Sequence, residues 1–280
     1  MREAMTMERA RAPEETPAAA RARRVWTAGD FDRIAQGFEI DAARFVARLG
    51  LAPGERVLDV ACGTGNLTLP AARVGAATTG LDIAPNLLEV AGRRAEAEGL
   101  MIRFDEGDAA ALPYPDGAFD TVITMFGAMF AADPGLAAGE LLRVTRPGGR
   151  IAMANWVPDG FIGRMLRMHA EMVPPPAGSP SVLLWGDPDV AVARLAPGAR
   201  RVTTVRRTLV FEYPYRPAGV AELFRGYYGP TVRVFEALDP GRRADLAERL
   251  TGLWTEGAES ADGVTRVPAE YLEVIAERAA

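Results

Sequence analysis

The sequence predicts an α/β fold in which a mostly parallel β-sheet carries helices on both faces. Short apolar runs alternate with amphipathic stretches of helical length through most of residues 30–155, and this alternation is typical of a doubly wound sheet. Two of the apolar runs contain an acidic residue at or near their end, at Asp59 and Asp82. A turn containing Gly63 and Gly65 follows the first of them. Because such a turn lets the backbone approach a ligand closely, the same observations predict a ligand site.

The individual elements follow from hydrophobic periodicity. Apolar residues at helical spacing predict a helix over 30–50, which Pro53 and Gly54 end. The alternation that follows predicts, in chain order, a strand at 55–61, a helix at 65–74, a strand at 77–82, a helix at 85–98, strands at 101–106 and 119–126, a helix at 135–145 and a strand at 149–155. The pattern changes after residue 156. We expect a strand at 200–215, helices at 217–236 and 240–255, and a last strand at 268–278.

The first turn and the two acids predict a nucleoside-type cofactor. Asp82 comes twenty-three residues after Asp59, and an acid at this offset is placed to accept hydrogen bonds from ribose hydroxyls. A dinucleotide-binding fold would have a third glycine where this chain has Thr68, which argues against NAD or FAD. A phosphate-binding loop is also disfavoured, because no Gly-Lys-Ser/Thr sequence follows and the chain contains no lysine.

Five segments in order carry a family resemblance. They are VLDVACGTGNL at 57–67, GLDI at 80–83, EGDA at 106–109, LPYPDGAFDTVIT at 112–124 and ELLRVTRPGGRIAMANW at 140–156. Together they resemble the motifs of class I S-adenosylmethionine-dependent methyltransferases, and most of all the type 11 group that includes ubiquinone- and menaquinone-biosynthesis enzymes. The resemblance implies a Rossmann-like seven-stranded sheet whose last strand is antiparallel and inserted, with a small helical cap. It also implies S-adenosyl-L-methionine as the cofactor.

The resemblance assigns cofactor-binding roles residue by residue. It places Asp82 at the ribose and Asp108 at the exocyclic amine of adenine, with a backbone N–H from Ala109. In related methyltransferases an N-terminal segment folds over the cofactor, which makes Trp26 and Phe31 candidate lid residues. The full set of expected cofactor-binding residues is Trp26, Phe31, Asp59, Ala61, Gly63, Gly65, Asp82, Ile83, Asp108, Ala109 and Met125.

The expected organisation is one methyltransferase domain over 25–280, after a solvated tail over 1–24 that is rich in Ala, Arg, Glu and Pro. Within the domain we expect a lid helix at 25–50, a cofactor-binding core at 51–156, a cap at 157–198, and C-terminal strands and helices at 199–280. The Met-rich segment 157–188 is predicted to cover the acceptor site together with 25–40, because methionine side chains adapt to varied ligands.

Two side chains are candidates for catalysis. His169 is the single histidine of the chain and is a candidate general base on the cap helix. Tyr227 is a candidate for orienting the acceptor, with its neighbour Tyr228 as an alternative. Many relatives carry a histidine shortly after the fourth strand, and this chain has none there. We expect no metal site, because no cluster of His and Asp ligands is visible.

Methyl transfer to a small, hydrophobic or aromatic molecule is therefore the predicted activity. Two alternatives remain open at this point: a non-catalytic protein that binds S-adenosylmethionine in a regulatory role, and a nucleotide-dependent oxidoreductase on a similar fold. The identity of the acceptor, and whether carbon, nitrogen or oxygen is methylated, cannot be derived from the sequence.

Composition sets outer limits on partners and location. The 280 residues are 49% hydrophobic and 25% charged, with a net charge of −5, which argues against nucleic acid as a partner. No apolar run is long enough to predict a membrane span. The single cysteine, Cys62, gives no disulfide framework. We expect a cytoplasmic monomer or homodimer.

Overall fold

The computed structural model describes residues 16–280, which build one central β-sheet with helices packed against it. Its strands are β1 Arg56–Val60, β2 Ala77–Asp82, β3 Arg103–Glu106, β4 Phe119–Met125, β5 Thr145–Trp156, β6 Ala199–Tyr213, β7 Glu259–Ala261 and β8 Val264–Arg278. The strand order is β3-β2-β1-β4-β5-β8-β6, and the three-residue β7 pairs with β8 outside this order. Strands β1 to β5 are parallel, whereas β8 runs antiparallel between β5 and β6. The predicted seven-stranded sheet with an inserted antiparallel last strand is confirmed, and β7 is an addition to it.

The helices of the described chain are α1 Pro17–Trp26, α2 Phe31–Ala35, α3 Glu39–Leu49, α4 Thr68–Arg73, α5 Pro85–Ala97, α6 Pro134–Val144, α7 Phe161–Met172, α8 Pro188–Leu195, α9 Pro217–Tyr227, α10 Gly229–Ala237 and α11 Pro240–Glu256. Short 3₁₀ turns lie at Gln36–Phe38, Ala128–Phe130 and Val182–Gly186. Helix α4 packs on β2, α5 on β2 and β3, α6 on β4 and β5, and α8 on β6. Since β1 lies at the centre between β2 and β4, the strand order reverses there, which is where ligands bind in such sheets.

Helix α1 begins inside the segment predicted to be a tail. The hydroxyl of Thr16 accepts a hydrogen bond from the backbone N–H of Ala19 at 3.1 Å, and Pro17 occupies the first helical position. Both features stabilise a helix N-terminus. The prediction of a solvated tail over 1–24 is therefore wrong for residues 17–24, and residues 1–15 lie outside the described part of the chain.

The helix predicted over 30–50 is interrupted. Its first part is α2, a 3₁₀ turn follows, and Phe38 then leaves helical geometry (φ −138°, ψ 16°) before α3 begins. The carbonyl of Ile34 accepts a hydrogen bond from the Tyr213 hydroxyl at 2.7 Å, and the carbonyl of Ala35 accepts one from the Asn66 amide at 2.9 Å. These contacts tie the bend to β6 and to the turn after β1, so tertiary contacts decide its position.

The described residues 16–280 contain no helix with the length and apolar character that a membrane span requires. Nor do three potential metal ligands of the His, Cys, Asp or Glu type come together anywhere in that range.

Candidate active site

A cavity of about 860 Å³ lies beyond the carboxyl ends of strands β1, β2, β3 and β4, and we call it the large cavity. Of the predicted cofactor-binding residues, all but Gly65 line it: Trp26, Phe31, Asp59, Ala61, Gly63, Asp82, Ile83, Asp108, Ala109 and Met125. The convergence follows from the topology, because parallel neighbouring strands end at the same edge of the sheet. Residues that the sequence did not single out complete the wall: Ala22, Ala35, Phe38, Cys62, Thr64, Asn66, Leu67, Leu81, Leu87, Gly107, Phe126, Gly127, Phe130 and Ala131.

Asp59 is a buried acid at the end of β1. Its side chain is 2% exposed and accepts a hydrogen bond from the Thr68 hydroxyl at 2.5 Å. Burial raises the pKa of Asp59 to about 7, and the nearby carboxylate of Asp82 acts in the same direction. Thr68, which stands where a dinucleotide fold has its third glycine, therefore has a role of its own: it holds this acid in place.

Asp82 connects the end of β2 to the glycine turn. One carboxylate oxygen accepts the backbone N–H of Gly63 at 2.8 Å, and the other accepts that of Ala84 at 2.9 Å. Burial raises the pKa of Asp82 to about 6, and the backbone N–H groups oppose the shift. Each carboxylate oxygen has a further lone pair for a ligand, so Asp82 can hold the turn and accept hydrogen bonds from the cavity at once.

The turn after β1 has a left-handed backbone at several positions. Gly63 has φ +54°, and a Cβ placed there would be 3.6 Å from the Phe31 ring, so this face of the turn is in reach of the N-terminal segment. Ala61, with φ 57°, adopts the same region without being glycine, which is a strained conformation of the kind often found at functional sites. Phe126, after β4, is the second such residue in the cavity wall.

Gly65 has a different position from the predicted one. Its φ is +90°, and a Cβ there would be 2.4 Å from Cδ1 of Leu69. Glycine is favoured because this backbone conformation is strained for residues with a Cβ, and the residue does not line the cavity. The expectation that Gly65 contacts the cofactor directly is corrected to a role in shaping the turn.

The N-terminal segment closes the large cavity from one side. Ala22 and Trp26 of α1 and Phe31 of α2 line the wall. An ion pair between Arg23 and Glu106 connects α1 to the end of β3. On the opposite side of the helix end, the Arg233 guanidinium donates two hydrogen bonds to the carbonyl of Arg24, at 2.7 and 3.1 Å. The segment therefore has the position of a lid.

A smaller cavity of about 310 Å³ adjoins the large one, and we call it the aromatic cavity. Its wall consists of Trp26, Phe31, Ile34, Phe38, Phe126, Trp156, Ile162, Phe211, Phe224 and Tyr228. Trp26, Phe31, Phe38 and Phe126 line both cavities. The lid and the residue after β4 therefore form a common boundary between them.

Tyr228, and not Tyr227, reaches the aromatic cavity. Tyr228 is 5% exposed, and no hydrogen bond connects its hydroxyl to any other group in residues 16–280. Burial raises the pKa of this hydroxyl, so it stays protonated at neutral pH. The ring of Tyr227 lies under the Arg33 guanidinium, 4.5 Å from its carbon, and outside both cavities. The predicted role of Tyr227 is not supported by its position.

His169 is a core residue between α7 and α10. It is 5% exposed, lines neither cavity, and has its Nε2 atom 3.4 Å from the Thr231 hydroxyl. Burial lowers the pKa of His169 to about 4. The expectation of a general base fails on geometry, because the imidazole is not within reach of a ligand in either cavity.

The Met-rich segment contributes little to the cavities. From 157–188 only Ile162 lines the aromatic cavity, whereas Met165, Met168 and Met172 are buried in the hydrophobic core. The remaining wall comes from Trp156 at the end of β5, Phe211 of β6 and Phe224 of α9, together with Tyr228. Apart from Ile162, this segment lines neither cavity, and its role as a cover over the acceptor site stays a prediction.

Comparison with known proteins places this architecture in a family. Residues 58–153 match the family model described as a methyltransferase domain. An uncharacterized protein of Mycobacterium tuberculosis is 38% identical over 273 residues, which cover 95% of this chain and 97% of that protein. The demethylmenaquinone methyltransferase of Thermus thermophilus is 39% identical over 183 residues, which cover 61% of this chain and 82% of that enzyme.

Solved structures share the fold. The YcgJ protein of Bacillus subtilis superposes with a TM-score of 0.60 at 17% identity, and the match covers 86% of this chain and 99% of that one. The chain belongs to the class I S-adenosylmethionine-dependent methyltransferases. Its cofactor is S-adenosylmethionine, as the sequence motifs predicted.

The residues that line the large cavity fit that cofactor in their chemistry. It offers two buried acids at the ends of β1 and β2, a turn with a glycine where a Cβ would enter the wall, and aromatic side chains from the lid. Acids suit ribose hydroxyls and an ammonium group, and aromatic rings suit a sulfonium.

Proposed function

We propose that this protein transfers a methyl group from S-adenosylmethionine to a small hydrophobic or aromatic acceptor that occupies the aromatic cavity. The observation that carries the proposal is the wall that the two cavities share. Trp26, Phe31, Phe38 and Phe126 line both, so an acceptor in one cavity is adjacent to a cofactor in the other. Methyl transfer is an in-line displacement that depends mainly on such alignment.

The cofactor supplies the methyl group and its own leaving group, and the protein's residues hold and orient the reactants. We assign Asp82 to the ribose hydroxyls. We assign the Asp108 carboxylate, together with the Ala109 N–H, to adenine. Asp59, with the turn from Ala61 to Gly63, is assigned to the methionine portion. The lid residues Trp26 and Phe31 exclude water from the boundary of the cavities.

The chemical character of the aromatic cavity's lining supports a hydrophobic acceptor. Eight of the ten residues that line the aromatic cavity are aromatic, and the other two are isoleucines. Apolar pockets with one or two placed polar groups are typical of small-molecule sites. In this cavity the Tyr228 hydroxyl, which has no partner in the described chain, is a polar group available to orient the acceptor. The relative from Thermus thermophilus is named for a quinone precursor, which is an acceptor of the same general character.

The test fills the aromatic cavity without touching the large one. Ile162 lines only the aromatic cavity, so Ile162→Trp should abolish methyl transfer to a panel of small aromatic phenols, amines and quinols. Affinity for S-adenosylhomocysteine, measured by calorimetry, should stay within about threefold of wild type. Ile162→Val is the matched control and should keep both properties. If the Ile162→Trp protein binds S-adenosylhomocysteine normally and still methylates an acceptor of the panel as wild type does, the acceptor binds elsewhere.

A further inference from the structure

The aromatic cavity is walled by rings that contact one another in sequence around it. Trp26 and Phe31 have ring centroids 5.7 Å apart, Phe31 and Tyr228 6.4 Å, and Tyr228 and Phe224 5.5 Å. The series continues from Phe224 to Phe211 at 6.3 Å and from Phe211 to Trp156 at 5.8 Å. A ligand in this space is therefore surrounded by π-systems on several sides.

The charged side chains that line the two cavities all have one sign. In the described structure no carboxylate, guanidinium or imidazole lines the aromatic cavity. The ionisable groups that line the adjoining large cavity are Asp59, Asp82, Asp108 and the Cys62 thiol, and the pKa of that thiol is raised well above its usual value by burial. An anionic ligand would therefore meet ring electrons and neighbouring carboxylates, whereas a cation would be attracted by both.

Proton transfer is a second constraint on the acceptor. A hydroxyl acceptor must lose a proton with a high pKa before or during attack, which calls for a base at the reacting atom. His169 does not reach the cavity, and burial keeps the Tyr228 hydroxyl protonated. A neutral amine needs no such base, because its nitrogen attacks with a lone pair.

We infer that the acceptor is a small amine, which enters the aromatic cavity in its neutral form and leaves it as a methylated ammonium ion. This inference rests on the proposed function. The amine nitrogen forms the new N–C bond with its lone pair while the S–C bond breaks and its electron pair remains on sulfur. The positive charge passes from sulfur to nitrogen, and an N–H proton, where the amine has one, leaves to water afterwards. The rings stabilise the positive charge that develops on nitrogen.

The test compares two probes of the same shape. The 3-hydroxyphenyltrimethylammonium ion mimics the product, and 3-tert-butylphenol is its uncharged twin. Each is titrated into the complex with S-adenosylhomocysteine and followed by tryptophan fluorescence, since Trp26 and Trp156 are in the wall. We expect the cation to bind at least about tenfold more tightly than the neutral twin, as cation–π contacts in a desolvated site provide. Equal affinity, preference for the neutral probe, or no binding of the cation would overturn the inference.

Variants of one ring separate cation–π attraction from simple apolar contact. Phe224 lines the aromatic cavity but not the large one. Phe224→Leu should reduce the preference for the cation by about threefold or more, whereas Phe224→Tyr should retain it, with normal binding of S-adenosylhomocysteine as the check on folding. A preference that is unchanged in Phe224→Leu contradicts the role of this ring.

Failure of this inference and failure of the proposed function have different signatures. In the acceptor panel, methylation of amines but not of shape-matched phenols agrees with both. Methylation of phenols alone, with Ile162→Trp inactive, would overturn the amine assignment and leave the acceptor site in the aromatic cavity. Methylation that persists in Ile162→Trp would overturn the site itself.

Discussion

Asp82 combines two tasks in one carboxylate. It accepts the N–H groups of Gly63 and Ala84, which fixes the turn after β1 against the end of β2, and it also faces the large cavity. The side chain of Asp108 is less involved in the fold, because within residues 16–280 it accepts a single hydrogen bond, from the backbone N–H of Ala110 two residues away. The two acids should therefore respond differently to removal.

We predict that Asp82→Ala weakens cofactor binding by about 2–4 kcal/mol, because it removes charge-assisted hydrogen bonds to the ribose and loosens the turn. Asp108→Ala should cost less, about 1–2 kcal/mol, because a single adenine contact is lost. Calorimetry with S-adenosylhomocysteine measures both, and thermal melting of the free variants checks their folding. An Asp82→Ala protein that melts normally and binds like wild type would show that the ribose lies elsewhere.

For single residues, the sequence predicts a role correctly where local structure alone places the side chain. Asp59 and Asp82 were predicted because an acid at a strand end is placed by the strand itself. His169 was assigned wrongly because periodicity puts it on an amphipathic helix without saying which side faces a ligand. Tyr227 and Tyr228 are adjacent, and the sequence does not indicate which of the two side chains is buried. Helix α9 ends at Tyr227, and Tyr228, the next residue, is only 5% exposed.

Among the elements, the N-terminal segment has the most direct influence on both cavities. Helix α1 is attached by the Arg23–Glu106 ion pair on one side and by Arg233 of α10 on the other. Trp26 is the last residue of α1, and its ring contacts the rings of Phe31, Phe130 and Tyr228. Movement of α1 would therefore open the large cavity and alter the aromatic cavity together.

We predict that Arg233→Met increases the dissociation rate of S-adenosylhomocysteine about three- to tenfold, because two hydrogen bonds to the Arg24 carbonyl are lost. Stopped-flow fluorescence measures the rate, and hydrogen exchange over 17–26 should rise in parallel. The control is Arg200→Met, which removes an exposed ion pair with Glu277 between β6 and β8 and should leave both unchanged. An unchanged rate in Arg233→Met would mean that α1 is not the gate.

The aromatic cavity could not be predicted as a site. Trp26, Phe211 and Tyr228 come from α1, β6 and the junction of α9 and α10, and no local pattern indicates that they meet. The strands and helices of the core followed from periodicity, whereas the bend at residues 36–38 depends on hydrogen bonds from Tyr213 and Asn66. Local pattern thus determines the sheet, and long-range contacts determine the second cavity.

For the molecule as a whole, the two buried acids link cofactor binding to pH. Their pKa values of about 7 for Asp59 and about 6 for Asp82 lie above the ordinary value for aspartate. The folded protein holds these protons more tightly than the unfolded chain does. The stabilisation of the folded state that this tighter proton binding gives is therefore lost as pH rises from about 4 to about 7. A positively charged ligand favours the carboxylate forms of the two acids, so its affinity rises as pH increases.

We therefore predict that affinity for S-adenosylmethionine rises as pH increases through about 6 to 7, with protons released on binding. Calorimetry in two buffers of different ionisation enthalpy measures that release. S-adenosylhomocysteine, which lacks the sulfonium charge, is the matched control and should show a weaker dependence. Affinity that is constant from about pH 5.5 to 8, or proton uptake on binding, would contradict the assignment of these acids to the cofactor.

The relation between the two cavities is central to the proposed methyl transfer. Its most direct test is the position of sulfur in a crystal structure of the complex with S-adenosylhomocysteine. We predict that the sulfur lies at the shared wall of Trp26, Phe31, Phe38 and Phe126, facing the aromatic cavity, with the ribose at Asp82. A sulfur that faces solvent or the side of Asp108, away from this wall, would contradict the account.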